Sequence, residues 1–269
     1  GQQYRPAAPP PYSDVNLGTG APREFGLPVL LVQGFEMLYP WLERDAFRTP
    51  CLKICIASWL VDVGEQFGMP RDQFEVVPMG IDHDRFTVVT PPEDRPLQVA
   101  VLHNSHPAKG WAVALEALDA VHRELPGLQV VSFGTSEPQG PLPEWVTFLL
   151  DPPQDVLVEQ VYNRSRVFLQ ASDYEGFGFT AVEAMACGCA LVTTDNGGSR
   201  DYAEHDRTAL VAPPRDAASL AHHVRALLTD DARRLELVRA GRAHVRRFDW
   251  DLGAELLEHH LERYLADPQ

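Results

Sequence analysis

The sequence predicts an α/β protein, a Rossmann-like doubly wound parallel sheet flanked by helices. Three observations carry that prediction. Short apolar runs alternate with helical periodicity from residue 97 to residue 230, and such alternation builds a parallel sheet wrapped by helices. Loops around Lys109, Glu175 and Gly197 each follow a predicted strand, so they share the carboxyl edge where sheets of this kind bind ligands. At 269 residues and 45% hydrophobic content, the chain holds one large domain or two small ones.

Residues 1–28 carry Pro6, Pro9, Pro10, Pro11, Pro22 and Pro28 with little periodicity and read as a loop or tail. A short apolar strand follows at 29–33, then a weak helical segment around Leu38 to Ala46. Strand 52–57 feeds Ser58, a candidate N-cap for a helix ending near Phe67. Strand 74–78 leads to the turn at Met79, and Pro91, Pro92 and Pro96 mark a linker. Then come strand 97–102, helix 109–125, strand 128–133, strand 146–150, helix 154–162 and strand 166–170. Helix 178–187, strand 190–194, a short helix at 198–203 and strand 209–212 continue the alternation. Helices at 216–229, 232–248 and 252–265 finish the chain.

A net charge of −15 argues against a nucleic-acid partner, because a polyanion needs a basic face. Arg233, Arg234, Arg239, Arg242, Arg246 and Arg247 cluster late in the chain; a solvated helical face is the expected reading, with a peripheral membrane or phosphate contact as the alternative. Cys51, Cys55, Cys187 and Cys189 lack the Cys-x2-Cys spacing of metal sites and read as small buried residues. His103 and His106 lack a third ligand, so no metal is expected. With no signal peptide and no apolar run of membrane-crossing length, a soluble, reduced, cytoplasmic protein is expected.

Chemistry concentrates in Glu175-Gly-Phe-Gly-Phe-Thr-Ala-Val-Glu183. A tight Gly-rich turn opens an apolar, Ala-rich helix. The first N–H groups of a helix are unpaired and its dipole favours an anion there. Glu175 precedes the turn and Glu183 lies about a turn and a half into the helix, so the anion sits between two acceptors of hydroxyl hydrogen bonds. A phosphate flanked by two hydroxyl-rich rings is a nucleoside-diphosphate sugar.

The same segment, continuing as Ala184-Met-Ala-Cys-Gly188, resembles the donor-binding domain of retaining GT-B glycosyltransferases of family GT4 (glycosyl transferases group 1). Val77-Pro-Met-Gly-Ile-Asp82 with Phe86, Lys109-Gly110, and Asp195-Asn-Gly-Gly198 with Arg200-Asp-Tyr and Leu210-Val-Ala-Pro-Pro214 extend the match over residues 52–265 in order. The resemblance implies a GT-B fold and a metal-independent transfer of a sugar, with retention, from a nucleotide-sugar donor to a glycan, lipid-linked saccharide or natural-product acceptor. No cofactor is implied.

It also implies roles. Lys109 pairs with the diphosphate, and Asn104, or His103 or His106 flanking it, replaces an arginine that the family usually carries five positions before that lysine. Gly178, Phe179 and Thr180 present backbone N–H groups to the phosphates, with the Phe179 side chain expected in the core. Glu183 accepts from the ribose and Glu175, beside Gly176, faces the donor sugar. Leu150 ends a strand near the nucleobase. The expected division is a remnant of an acceptor-side domain with the interdomain segment at 29–90, a donor-binding domain at 91–248, and a helix at 249–269 packing back toward the N-terminal part. Such a domain needs about 150 residues, so the N-terminal half reads as reduced or truncated. Two other classes stay open: a non-catalytic nucleotide-sugar-binding subunit that needs a partner for the acceptor site, and a nucleotide-sugar epimerase, which requires acid/base residues poised at the sugar.

Overall fold

A computed structural model of the chain describes residues 27–35 and 47–267. The strands are β1 (Val29–Val32), β2 (Leu52–Cys55), β3 (Phe74–Val76), β4 (Gln98–Leu102), β5 (Gln129–Gly134), β6 (Val146–Leu150), β7 (Val167–Gln170), β8 (Ala190–Thr194) and β9 (Ala209–Ala212). The longer helices are α1 (Trp59–Gln66), α2 (Trp111–Glu124), α3 (Phe179–Ala186), α4 (Ala217–Thr229), α5 (Asp231–Val245) and α6 (Trp250–Ala266). The helix expected around Leu38 to Ala46, and the tail up to residue 26, lie outside the described residues.

Two parallel sheets result. The small one has the order β1-β2-β3, and the large one β6-β5-β4-β7-β8-β9. The large sheet is doubly wound: the chain steps outward from β4 to β6, then returns to β7 beside β4 and steps outward the other way. The crevice between the ends of β4 and β7 is the switch point at which such sheets hold ligands.

Both faces of the large sheet are covered, so its central strands are mostly apolar, with polar residues such as Gln98, Gln170, Thr193 and Thr194 only at their ends. β7 and β8 are buried at every position. Alternate side chains enter opposite cores. Val99, Val101, Val167 and Leu169 pack with Leu118 and Val121 of α2 and Leu220 and Val224 of α4. Ala100, Phe168 and Leu191 face the other core with Tyr162, Phe177 and Ala181. α3 is Ala-rich because Ala181, Val182, Ala184, Met185 and Ala186 are all buried, and small side chains let a helix approach its neighbours closely.

Several elements depart from the periodicity. The helix expected from Lys109 begins at Trp111; Pro107–Lys109 form a separate 3-10 turn, closed by Gly110 at φ 68°. Close contact forces this break, since a Cβ on Gly110 would lie 1.9 Å from the Ala171 carbonyl oxygen. The helix expected at 154–162 is α over Gln154–Val156, π over Leu157–Val161 and 3-10 over Tyr162–Arg164. Side chains have taken carbonyls that an α ladder would use: Asn163 Nδ2 donates to Val158 O at 3.0 Å and Ser165 Oγ to Val161 O at 2.8 Å. Ser58 precedes α1 but makes no capping bond; its hydroxyl turns outward and donates to Asp201.

Not all of the arginine cluster is a solvated face. Arg234 is fully buried and donates to Pro92 O at 2.9 Å and to Asp231 Oδ1 at 2.6 Å. Arg95, in the predicted Pro-rich linker, is 1% exposed. Its guanidinium gathers the carbonyls of Thr90, Tyr162, Ser165 and Cys187 at 2.6–3.0 Å. Against β3, Glu75 meets His260 at 3.3 Å and Arg263 at 3.2 Å on α6. Among the described residues, no helix is long and apolar enough to cross a membrane.

Candidate functional site

The loops after β4 and β7 meet at the switch point. Asp173 N–H donates to Ala108 O at 2.7 Å, which fixes the two loops side by side. Lys109 Nζ then reaches Glu175 Oε2 at 2.7 Å. The other Glu175 oxygen accepts from Ser172 Oγ at 2.7 Å. The backbone of Glu175 is held too, by bonds with Asn196 O at 2.8 Å and Gly198 N at 3.1 Å. The Glu175 side chain is only 10% exposed and that of Lys109 30%, so the pair lies in a poorly hydrated crevice where charge interactions are strengthened. A cleft of about 310 Å³ opens over it, lined by Gln33, Gly34, Asn104, Lys109, Tyr174 and Glu175 among others.

Beyond Glu175 the chain turns into α3. Gly178 sits at φ 107°, and a Cβ there would fall 2.3 Å from the buried Tyr202 hydroxyl. No side chain fits that backbone or that space. From Gly176 to Thr180 no backbone N–H finds a backbone acceptor among the described residues. A run of free amides at a helix start, beside a lysine, is a cradle for an anion.

Glu183 lies one turn after Phe179 on α3. Its Oε2 accepts from Tyr162 OH at 2.9 Å. Burial pushes the Glu183 carboxyl up from its ordinary value, and the Tyr162 bond pulls it partly back. The residue opens onto a second cleft of about 410 Å³, lined also by Asp82, Arg85, Gln154, Phe179 and Trp250. A raised carboxyl pKa stabilises the fold below the unfolded value near 4.5, and that stability is lost as pH rises through the folded pKa. Glu183→Gln removes the titration. Its unfolding midpoint should match the parent near pH 4 and exceed it at pH 7–8; a constant offset at both pH values would contradict the assignment.

Other predicted site residues fall differently. Asn104 lines the first cleft, with Oδ1 accepting from His106 N at 2.8 Å. His103 is not part of its lining: the ring is 3% exposed and packs edge-on between Trp111 and Phe148 at 4.9 and 5.6 Å. Phe179 is not in the core but 37% exposed, its ring 5.3 Å from that of Phe177. The first residue of a helix points along the helix entrance, and here that is the cleft. Leu150 ends β6 at 53% exposure.

Sequence reasoning missed the residues that hold this constellation. Ser172 orients Glu175. Gln170 Oε1 accepts from Thr193, Asn196 and Tyr202 beneath the turn at 3.0, 3.3 and 3.1 Å. Trp59 Nε1, at the start of α1, donates to Gly176 O at 2.9 Å. The bonds to Gln170 and Trp59 span 23 to 117 positions of sequence, so no local spacing signals them. Among the described residues, no group of three or more His, Cys, Asp or Glu is placed to hold a metal ion.

Comparison with known proteins bears on this geometry. The family model of glycosyl transferases group 1 matches residues 84–244. A glycogen synthase of Mycobacterium tuberculosis is 28% identical over 224 residues, covering 78% of this chain and 52% of its own length. A D-inositol 3-phosphate glycosyltransferase of Xylanimonas cellulosilytica is 30% identical over 218 residues, covering 72% and 52%. The chain thus spans about half the length of these curated relatives. Among solved structures, a sucrose-phosphate synthase of Thermosynechococcus elongatus superposes with a TM-score of 0.71 at 24% identity, over 84% of this chain and 61% of that one. An Anabaena protein, HepE, in complex with UDP and glucose gives 0.71 at 18% identity, over 87% and 71%. At these identities the likeness is one of fold, and the fold is GT-B.

Proposed function

Because this chain belongs to the glycosyl transferases group 1 family, we propose that its large sheet binds a nucleoside-diphosphate sugar and that the protein transfers the sugar, with retention and without a metal, to an acceptor. The Lys109–Glu175 pair at 2.7 Å, set beside the free amides of residues 176–180, carries this reading. Lys109 and the amides of residues 178–180 receive the diphosphate, where negative charge grows as the anomeric bond breaks, and the amides of Gly176 and Phe177 lie toward the sugar. Glu175 turns from the lysine to a sugar hydroxyl and steadies positive charge on the ring. Glu183 accepts from the ribose, and the nucleoside lies in the second cleft toward Leu150 and Gln154. A glycosidase-like pair of carboxylates is the wrong comparison, since the leaving diphosphate needs no protonation to depart. Residues 29–90 form the acceptor side and 91–248 the donor domain, with the last helix returning toward the acceptor side. The solved complex of HepE with UDP and glucose supports a uridine donor as the first to test.

The test is calorimetric titration of the full chain with UDP, GDP, ADP and dTDP, beside Glu183→Ala. Micromolar binding of one nucleotide, weakened by about 1–3 kcal/mol in the variant, is expected. No binding of any nucleotide would overturn the donor reading. Donor binding without turnover would favour the nucleotide-sugar-binding subunit, a reading kept because the chain covers 52% of its relatives.

A further inference from the structure

Gly176 is squeezed between the two sheets. A Cβ on it would lie 2.0 Å from the carbonyl oxygen of Gln33, just past β1. Its own carbonyl accepts the Trp59 indole N–H at 2.9 Å, from the first residue of α1. Trp59 is buried to 9% exposure, and its ring also covers Gly197, where a Cβ would come within 2.9 Å of the indole. Gly197 is in turn the bridge partner of Glu175. Next to it, Ser58 N–H donates to Asp201 Oδ2 at 2.9 Å. The start of α1 therefore grips both the segment 175–177, whose Glu175 and Gly176 line the cleft, and the segment 197–201 that pairs with Glu175.

A trans peptide is planar, so the Phe177 N–H points opposite to the Gly176 carbonyl. Whatever holds that carbonyl decides where the amide aims, and this amide has no backbone acceptor among the described residues. We infer that Trp59 is a positioning residue: through its indole N–H it fixes the Gly176–Phe177 peptide, and so the sugar end of the donor site, from the opposite lobe. The inference rests on the donor reading above and adds to it. The small sheet is then part of donor recognition. Its displacement releases the carbonyl and frees the peptide to turn, which couples the spacing of the two lobes to selection of the sugar. The nucleoside end, held by Glu183 on the far side of α3, does not depend on Trp59.

The test compares the nucleoside diphosphate that binds with its sugar ester: UDP with UDP-glucose, GDP with GDP-mannose, or ADP with ADP-glucose. Full-length Trp59→Phe keeps an aromatic ring and loses the N–H. It should weaken the sugar ester about five- to tenfold, as for one hydrogen bond, and the bare nucleotide less than about twofold on the same scale. Ser58→Ala, which loosens the neighbouring contact to Asp201 without touching Gly176, should leave the ratio of the two affinities unchanged. Equal losses for ester and nucleotide in Trp59→Phe, no loss in either, or a matching change of ratio in Ser58→Ala would each overturn the role of Trp59 while leaving the donor site standing. Failure of the parent chain to bind any nucleotide would overturn the donor reading and this inference with it.

Discussion

Lys109→Met is expected to weaken binding of a nucleoside diphosphate by about 10- to 100-fold, the effect of one charge-assisted hydrogen bond in a poorly hydrated crevice. Three features make the loss large. The Lys109 side chain is 30% exposed, so water replaces its ammonium only in part. It stands on a 3-10 turn pinned through Ala108 and Gly110 to the chain after β7, so its position is set before ligand arrives. The site loses this cation while keeping Glu175, and a carboxylate without its ion pair beside the phosphates repels them. The last point supplies a check. In a double-mutant cycle with Glu175→Gln, the second change should restore part of the affinity for the bare nucleotide while lowering it for the sugar ester. A Lys109→Met titration indistinguishable from the parent would remove the lysine from the donor site.

The largest effect on stability is expected from Arg95→Leu, a loss of about 4 kcal/mol or more, read from urea unfolding. Desolvation lowers the Arg95 pKa, with the thiols of Cys189 and Cys187 opposing that shift. The charge is tolerated because the guanidinium meets the carbonyls of Thr90, Tyr162, Ser165 and Cys187. Leucine fills much of the space but leaves those acceptors unpaired, and each orphaned buried carbonyl costs about 1 kcal/mol or more. Arg95→Lys should recover less than half of the loss, because a single ammonium cannot span acceptors arranged around a planar fork. The effect would reach the site indirectly, since Tyr162 carries the hydroxyl that holds Glu183. A loss below about 1 kcal/mol would show that solvent replaces these bonds.

Much of the fold was legible in the sequence for a local reason. Strands such as Val-Phe-Leu at 167–169 are apolar at successive positions because both faces of a parallel strand are covered. Helices such as 217–229 declare themselves by periodicity and by the Asp216 cap, which accepts from Ser219 N at 2.9 Å. Legibility failed where a distant contact overrode a local preference. The helical pattern from 154 is broken by Asn163, Ser165 and Arg95 taking its carbonyls. Ser58 looked like a cap and instead reaches Asp201. His103, read as an anion donor from its place before Lys109, packs between two aromatic rings because β4 turns it inward.

The sequence by itself determined the strand–helix alternation, the placement of Lys109, Glu175 and Gly197 at one sheet edge, and the acidic residues bracketing a Gly-rich helix start. Each is a property of neighbouring residues, and hydrophobic period and turn chemistry act over a few positions. Only the tertiary structure decided that β4 and β7 lie side by side, and therefore that Lys109 and Glu175 touch across 66 positions of chain. It alone joined Trp59 to Gly176, gathered the carbonyls around Arg95, and set Glu183 against Tyr162. Strand order is chosen by burial of the whole sheet and by the crossover that returns to β7. Which distant side chains meet follows from that order, and no local stretch of sequence carries it.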